Sequence, residues 1–150
     1  MKLNYVLCSL GLLVNLAVGG RYGIVYGREV CETTDGVQFC VEMRGQCDLY
    51  HLLPTEKTNI KMDIFHIVIL NRSNRSIKIV PEYFYGVTTE GRVVVMDPPF
   101  YESIEFKTKL RTREIVPQQQ VDGFLFFPAS SGLIRSLIYN QDPFIEMLLY

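Results

Sequence analysis

The stretch "CETTDGVQFC", residues 31–40, has a cysteine at each end and Asp35-Gly36 at its midpoint. Asp-Gly is a strong signal for a two-residue type I′ turn, because that turn needs positive φ at both central residues. Pairing outward from the turn sets Cys31 opposite Cys40 in a non-hydrogen-bonded pair, where Cα atoms lie about 4.5 Å apart. A disulfide spans about that separation. The stretch therefore predicts a β-hairpin closed by a Cys31–Cys40 disulfide, with two unrelated thiols as the alternative.

The N-terminus agrees with the oxidising compartment that a disulfide requires. Residues 1–20 contain Lys2, then an apolar run that ends at Val18, then small residues. This order is typical of a secretory signal peptide. An uncleaved membrane anchor is the alternative, although the run is shorter than the roughly 20 residues of a membrane span. We predict a secreted protein, periplasmic or on the extracellular surface, that meets a membrane only through an uncleaved signal segment.

Composition excludes several classes of protein. The chain has 150 residues, a formal net charge of −1, 48% hydrophobic residues and 21% charged residues. Such a chain can form a hydrophobic core and is too weakly charged to be disordered. It also lacks the basic excess of a nucleic-acid binder, so we expect no nucleic-acid partner. Once a signal peptide that includes Cys8 is removed, Cys47 is an odd thiol, either free or paired between chains.

Short strands separated by turns account for most of the remaining sequence. Residues 61–70, "KMDIFHIVIL", are apolar on both faces, which is typical of a central strand. Residues 44–60 read as a connection and residues 97–100, "DPPF", as a loop. Further strands are expected within 77–87, 92–96, 103–111, 121–127, around 137–139 and after Pro143. Short strands without a long amphipathic helix predict an all-β, antiparallel β-sandwich with an N-terminal β-hairpin.

The same patterns predict domain boundaries and a core. Residues 21–60 hold the hairpin and its connection, residues 61–150 hold the sandwich, and 21–150 are expected to form one domain. Alternation in "SIEFKTKLR", residues 103–111, points Ile104, Phe106, Thr108 and Leu110 inward and Lys109 toward water. The side chains expected to be largely buried are Phe65, Ile67, Ile69, Phe106, Leu110, Phe124 and Phe126.

The order of several motifs resembles a known kind of domain. "FHIVILN" (65–71) is followed by "TTEG" (88–91), then "IVP" (115–117) and "GFLFFP" (123–128). This order resembles the immunoglobulin-like domains of secreted bacterial proteins of unknown function, over about residues 61–140. The resemblance implies an immunoglobulin-like β-sandwich and carries no catalytic residues. The chain departs from the pattern at Gln118, where that family usually has Gly after the proline. A second likeness is to small bacterial proteinase inhibitors, without a matching inhibitory loop.

The sequence offers few residues for chemistry. His51 and His66 lie near Cys47, Asp48 and Asp63, which are metal-ligating types, but their spacing matches no established zinc pattern. There is no nucleophile elbow and no phosphate-binding glycine loop. We therefore predict no catalytic, cofactor-binding or metal-binding residue and no enzyme activity. Asn71 and Asn74 each begin a glycosylation sequon, which matters only in a eukaryotic secretory pathway.

The function expected from these absences is a secreted, non-catalytic structural or protein-interaction module. Its partner is another protein or a second copy of itself. The aromatic group Tyr83, Phe84 and Tyr85 is the candidate contact surface, since exposed aromatic side chains are enriched at interfaces. The disulfide-closed hairpin is a second candidate contact element. The alternatives are a protein inhibitor or chaperone-like binder and, less favoured, a metal-binding protein or hydrolase.

Overall fold

The computed structural model describes residues 29–48, 61–103, 107–128 and 132–149. The predicted signal peptide, His51, Ile104 and Phe106 lie outside these ranges, and the side chain of Cys47 lies outside the described atoms. The described strands are β1 (Val30–Thr34), β2 (Val37–Asp48), β3 (Lys61–Asn71), β4 (Ile77–Ile79), β5 (Phe84–Thr88), β6 (Val93–Val95), β7 (Arg113–Ile115), β8 (Gln120–Pro128), β9 (Ile134–Tyr139) and β10 (Ile145–Leu148). A 3-10 turn (Pro81–Tyr83) precedes β5, and a short helix, α1 (Pro98–Ser103), follows β6.

The strands form two four-stranded antiparallel sheets and a small ribbon. The first sheet has the order β1-β2-β3-β8 and the second the order β10-β9-β5-β6, while β4 pairs with β7. The all-β, antiparallel sandwich predicted from the turn spacing is confirmed. None of the helices in the described ranges has the length and apolarity needed to cross a membrane.

Aromatic rings join the two sheets across the core. The Phe39 ring of β2 lies 5.5 Å from the Tyr139 ring of β9, and the Tyr139 ring lies 4.6 Å from that of Phe84 in β5. All three side chains are fully buried. Because aromatic side chains bury large areas and stack in tilted geometries, this cluster is a main contact between the sheets.

The opening hairpin has the predicted register. Asp35 and Gly36 both have positive φ, 50° and 78°, as a type I′ turn requires. Cys31 lies opposite Cys40, and their sulfur atoms are bonded at 2.08 Å, with the Cα atoms 4.1 Å apart. The disulfide is on the solvent side of the ribbon, since the alternating residues Val37 and Phe39 are fully buried.

The position of the hairpin corrects one expectation. The hairpin was expected to stand outside the sandwich as an exposed contact element. Instead β2 lies between β1 and β3 in the first sheet, and its apolar face is part of the core. The predicted connection also begins later than expected, because β2 continues to Asp48 through a β-bulge between Met43 and Gly45. A bulge lets a strand pass a glycine without ending the ladder.

Two segments after β6 were assigned wrongly from sequence. "DPPF" was expected to be a loop, but residues 98–103 form α1, where the prolines occupy the first helical turn. Residues 107–110 were expected to alternate as a strand. Instead Lys109 and Leu110 are both buried, at 5% and 2% exposure, and only Lys109 forms an isolated bridge to Phe124. Tertiary contacts rather than alternation decide which of these side chains face the core.

The segment around Leu110 approaches β8 closely. A Cβ atom added to Gly123 would lie 2.8 Å from the Leu110 Cα atom, which is closer than nonbonded carbons tolerate. Glycine at position 123 therefore lets the chain cross this edge of the first sheet, where the Leu110 N–H donates to the Phe124 carbonyl oxygen at 2.9 Å.

The predicted core is largely confirmed in the described residues. The buried side chains are Phe65, Ile67, Ile69, Leu110 and Phe126. Phe124 is only half-buried, because it lies on the outer face of the first sheet and contacts the ring of His66 at 5.0 Å. Thr108 is exposed rather than inward.

Candidate partner-binding face

The outer face of the second sheet is unusually apolar. Strand register aligns Leu148, Ser136, Val87 and Val93 in one row across β10, β9, β5 and β6. The neighbouring row on the same side holds Glu146, Ile138, Tyr85 and Val95. The alternate residues of these strands, among them Leu137, Met147 and Val94, are buried in the core, so these two rows face outward. We call the five apolar residues of these rows that are not buried the apolar face: Tyr85, Val87, Val93, Val95 and Leu148.

Exposure on the apolar face is greatest at the sheet edges. Val93 and Val95 of β6 are 61% and 63% exposed, and Leu148 of β10 is 54% exposed. Tyr85 and Val87, on the interior strand β5, are half-buried. Antiparallel sheets that contact water normally carry polar residues on their outer face. On the interior strand β9, Ser136 and Ile138 of the same rows are buried, at 1% and 7% exposure, so the exposed apolar side chains lie in two groups at the β6 and β10 edges. Exposed apolar side chains grouped in this way are characteristic of a binding site.

The outer face of the first sheet mixes polar and apolar residues. Its positions include Gln38, Glu42, His66 and Asp122, and also Val68, Leu70 and Phe124. The His66 Nε2 atom lies 3.1 Å from the Asp122 carboxylate, which is largely exposed. The three apolar side chains of this face are half-buried, whereas Val93, Val95 and Leu148 of the second sheet are exposed.

The structure divides the predicted aromatic contact group. Phe84 was wrong as a contact residue, since strand alternation turns it into the core, where it is fully buried. Tyr85 lies on the apolar face. Tyr83 is 41% exposed but lies at the end of the 3-10 turn, where it lines a cleft of about 350 Å³ with Arg75, Lys78 and Asp142. Contact by Tyr83 and Tyr85 with a partner stays a prediction.

The two most exposed residues of the apolar face, Val93 and Val95, were missed from sequence. "RVVVM" reads as a strand of three valines, and its pattern does not say which of them face inward. The Glu90-Gly91 turn before β6 could have shown which valines face inward, because it sets the register of the β5–β6 hairpin. Gly91 has φ +80°, and this turn places Val94 opposite Gly86 on the core side.

Backbone groups at the edge of β6 point away from the sheet. The Thr88 N–H donates to the Arg92 carbonyl oxygen at 2.9 Å, so these two residues form a hydrogen-bonded pair. Such pairs alternate with non-hydrogen-bonded ones along an antiparallel ladder. Gly86 and Val94 form the next hydrogen-bonded pair, and the N–H and C=O groups of Val93 and Val95 therefore face the outer edge. No described strand pairs with β6 on that side.

Two buried polar side chains beside β8 serve packing. The Lys109 Nζ atom donates to the Tyr101 carbonyl oxygen at 2.8 Å and lies 4.8 Å from the centre of the Tyr101 ring. The Tyr101 hydroxyl donates to the Leu110 carbonyl oxygen at 2.6 Å. Burial lowers the pKa of Lys109 and raises that of Tyr101. These contacts fix the segment that covers the edge of β8, and they correct the expectation that Lys109 faces water.

Groups suited to metal binding do not form a usable site in the described part of the chain. Glu29, Cys31 and Cys40 are the one cluster of three potential ligands there. Both sulfur atoms are bonded to each other, so neither is available as a thiolate ligand. Of the metal-ligating residue types noted in the sequence near His66, His51 and the side chains of Cys47 and Asp48 lie outside the described atoms, and the ring of His66 contacts Asp122 and Phe124.

Comparisons with known proteins identify similar folds but no family. No protein family matches the sequence, and no curated protein does. The yjhA protein of Bacillus subtilis has a similar structure, with a TM-score of 0.52, 16% identity and coverage of 73% of this chain and 76% of that one. MPT63, a secreted protein of Mycobacterium tuberculosis, has a TM-score of 0.50, 13% identity and coverage of 81% of this chain and 88% of that one.

These similarities concern the fold alone. Both proteins are bacterial, and one is described as secreted. The part of the predicted resemblance that they confirm is the antiparallel β-sandwich fold. The similarity spans more of this chain than the residues that suggested it, since the motifs covered only about 61–140 whereas the match to MPT63 covers 81% of the chain.

Proposed function

We propose that this protein is a secreted, non-catalytic interaction module that binds a protein partner through the apolar face. The observation that carries the proposal is the exposure of Val93, Val95 and Leu148 on an outer sheet face with a single charged residue, Glu146, in its two rows. Apolar side chains that face water do not stabilise the sheet. A partner that covers them would remove them from water, and the buried apolar area would contribute to the free energy of binding.

Other features support an extracellular, non-catalytic role. The Cys31–Cys40 disulfide is stable in an oxidising compartment, and one structural neighbour is a secreted protein. The buried polar groups that chemistry would use, Tyr101 and Lys109, donate hydrogen bonds to backbone carbonyls instead. Residues 1–20 supply the export signal in this proposal, and N-terminal sequencing of exported protein should then begin near Gly20 or Arg21.

Site-specific photo-crosslinking tests the proposal. A photoreactive residue is placed at Val95 on the apolar face, with a matched position at Gln120, exposed on the outer face of the first sheet. Each variant is incubated with the extracellular fraction of the source organism. We expect an adduct of defined mass from position 95 and none from position 120.

Competition distinguishes a specific partner from adventitious capture. Excess unmodified protein should abolish the adduct, whereas excess of the variant Val93→Thr/Val95→Thr should compete at least about tenfold less well. Threonine keeps the β-branched shape and the backbone groups, so only the apolar contact is lost. Equal adducts from both positions, or equal competition by both proteins, would overturn the proposal.

A further inference from the structure

We propose that the partner of the apolar face is a second copy of this chain, paired antiparallel through β6 so that the two second sheets become one continuous sheet. This inference rests on the proposed function and adds the identity of the partner. It follows from the state of each sheet edge, from the backbone groups of β6 and from the charges that flank β6.

The first step is that the other three described sheet edges are covered. The β8 edge is covered by residues 108–110, through the hydrogen bonds between Thr108, Leu110 and Phe124. The β1 and β10 edges lie against each other and close that side of the sandwich. The β6 edge lies near β8 across the sandwich, but no described segment forms backbone hydrogen bonds with its outer groups, and Val93 and Val95 remain 61% and 63% exposed.

The second step is that β6 has only one of the devices that keep strand edges apart, its short length of three residues. It carries no Lys, Pro, inward-facing charge or bulge, which are the other means by which proteins protect an exposed edge. The three residues of β6 are all valine, and its ladder to β5 has no irregularity over Val93–Val95. Since β-branched residues favour strand pairing, this edge promotes association rather than preventing it.

The third step is that the outward backbone groups are complementary to themselves. If a two-fold axis passes beside Val94, Val93 of one copy faces Val95 of the other, and the reverse holds on the other side of the axis. The N–H and C=O groups of both residues already point outward. Each such pair can then exchange both of its backbone hydrogen bonds. An isologous interface of this kind closes after two chains.

The fourth step is the gain in burial for the most exposed side chains of the apolar face. Val87 and Tyr85 lie in the same two rows as Val93 and Val95, but on an interior strand, and they are half-buried. Pairing makes β6 an interior strand as well. The two valines would then gain cross-strand neighbours on their exposed side, and apolar β-branched cross-strand pairs are stabilising.

The fifth step is the orientation set by charge. Arg92 directly precedes β6 and Asp97 follows it by two residues. Antiparallel pairing about Val94 places Arg92 of one copy opposite Met96 of the other, one residue from Asp97, at both ends of the interface. Parallel pairing would instead place like charges together, which is unfavourable.

Sedimentation velocity of the mature protein over a concentration series tests the inference. We expect a monomer–dimer equilibrium. Val95→Pro removes an N–H that faces the partner and is not used by β5, so it should weaken dimerisation at least about tenfold. Val95→Lys, which introduces an edge charge and keeps the N–H, should do the same. The matched control is Thr33→Lys, which introduces the same charge at an exposed position of β1 in the first sheet and should dimerise normally.

A charge exchange tests the orientation. Arg92→Glu and Asp97→Arg should each weaken the dimer, and the double variant should recover it. Near-UV circular dichroism and thermal unfolding establish that each variant is folded. A chain that stays monomeric throughout the series would overturn the inference, as would a dimer that Thr33→Lys disrupts and Val95→Lys does not. If the chain is monomeric and the photo-crosslinked adduct is a different protein, self-pairing fails while the proposed interaction function stands.

Discussion

At the scale of single residues, Asn71 has a role that its sequence context only partly indicates. It ends β3, as in the motif that suggested the immunoglobulin-like fold, and it is fully buried. Its Nδ2 atom donates to the carbonyl oxygens of Arg75 and Ile115, at 2.7 and 2.9 Å, and its Oδ1 atom accepts from the N–H and hydroxyl of Ser73. The side-chain amide is fully engaged, so Asn74, which is exposed, is the accessible one of the two sequons.

The turn after Pro117 has the backbone conformation expected for glycine, although Gln118 occupies the position where the motif has glycine. Gln118 has φ +67° in the turn after Pro117, which the Gln119 N–H closes by donating to the Val116 carbonyl oxygen at 3.1 Å. This is the position of a type II turn where glycine is preferred. A residue with a side chain costs about 1–2 kcal/mol in that conformation, partly offset by the greater backbone entropy of unfolded glycine.

Gln118→Gly should therefore stabilise the protein, by roughly 0.5–1 kcal/mol in the free energy of unfolding. Chemical denaturation of the variant and the parent measures this difference. The control is Gln120→Gly, at the start of β8, which should destabilise because glycine weakens a strand. A Gln118→Gly variant that is less stable than the parent would show that the side chain contributes more than the backbone strain costs.

At the scale of elements, prediction from sequence succeeded where the pattern is local. The hairpin at Asp35-Gly36, the central strand at 61–70 and the turn at Glu90-Gly91 each carry their own turn or periodicity signal, and the structure has all three. Prediction failed at residues 98–103 and 107–110, where α1 and the buried Lys109 depend on contacts with β8. It also failed at Phe84, because an aromatic run does not reveal which of its members face inward.

One ion pair fixes the loop before β10 to the turn after β3. The Arg75 guanidinium donates two hydrogen bonds of 2.9 Å to the Asp142 carboxylate, and these hydrogen bonds lower the pKa of Asp142. A lowered pKa in the folded state means that the folded protein favours the charged carboxylate. The resulting stabilisation is present above the ordinary pKa of aspartate, and it is lost as the pH falls through the lowered value.

Arg75→Ala should raise the pKa of Asp142 toward the ordinary 3.8 of an aspartate. The measurement is an NMR titration of the Asp142 carboxyl carbon in the variant and the parent. Arg72→Ala is the matched control, because Arg72 is an exposed arginine next to the same turn, and it should leave the titration unchanged. An Asp142 titration that does not move in Arg75→Ala would show that the ion pair is not formed in solution.

At the scale of the whole molecule, the disulfide stabilises the sandwich through the position of β1. The Cys31–Cys40 bond joins β1 to β2, and β1 lies against β10 where the edges of the two sheets meet. The strand therefore closes one side of the sandwich, and the bond holds it there. We expect the bond to limit fraying of this edge as well as to restrict the unfolded chain.

Replacing both cysteines, Cys31→Ala/Cys40→Ala, should lower the free energy of unfolding by roughly 2–3 kcal/mol, the entropic effect expected for a loop of this length. Denaturant unfolding with and without reductant measures it: reductant should destabilise the parent by a similar amount and leave the double variant unchanged.

Hydrogen exchange should show the largest loss of protection in β1 and at the facing edge of β10, and little change in β3 or β9, which lie inside their sheets. Loss of protection spread evenly over both sheets would contradict a local role at the edge. An unchanged free energy of unfolding would show that packing of β1 against β10 is sufficient without the bond.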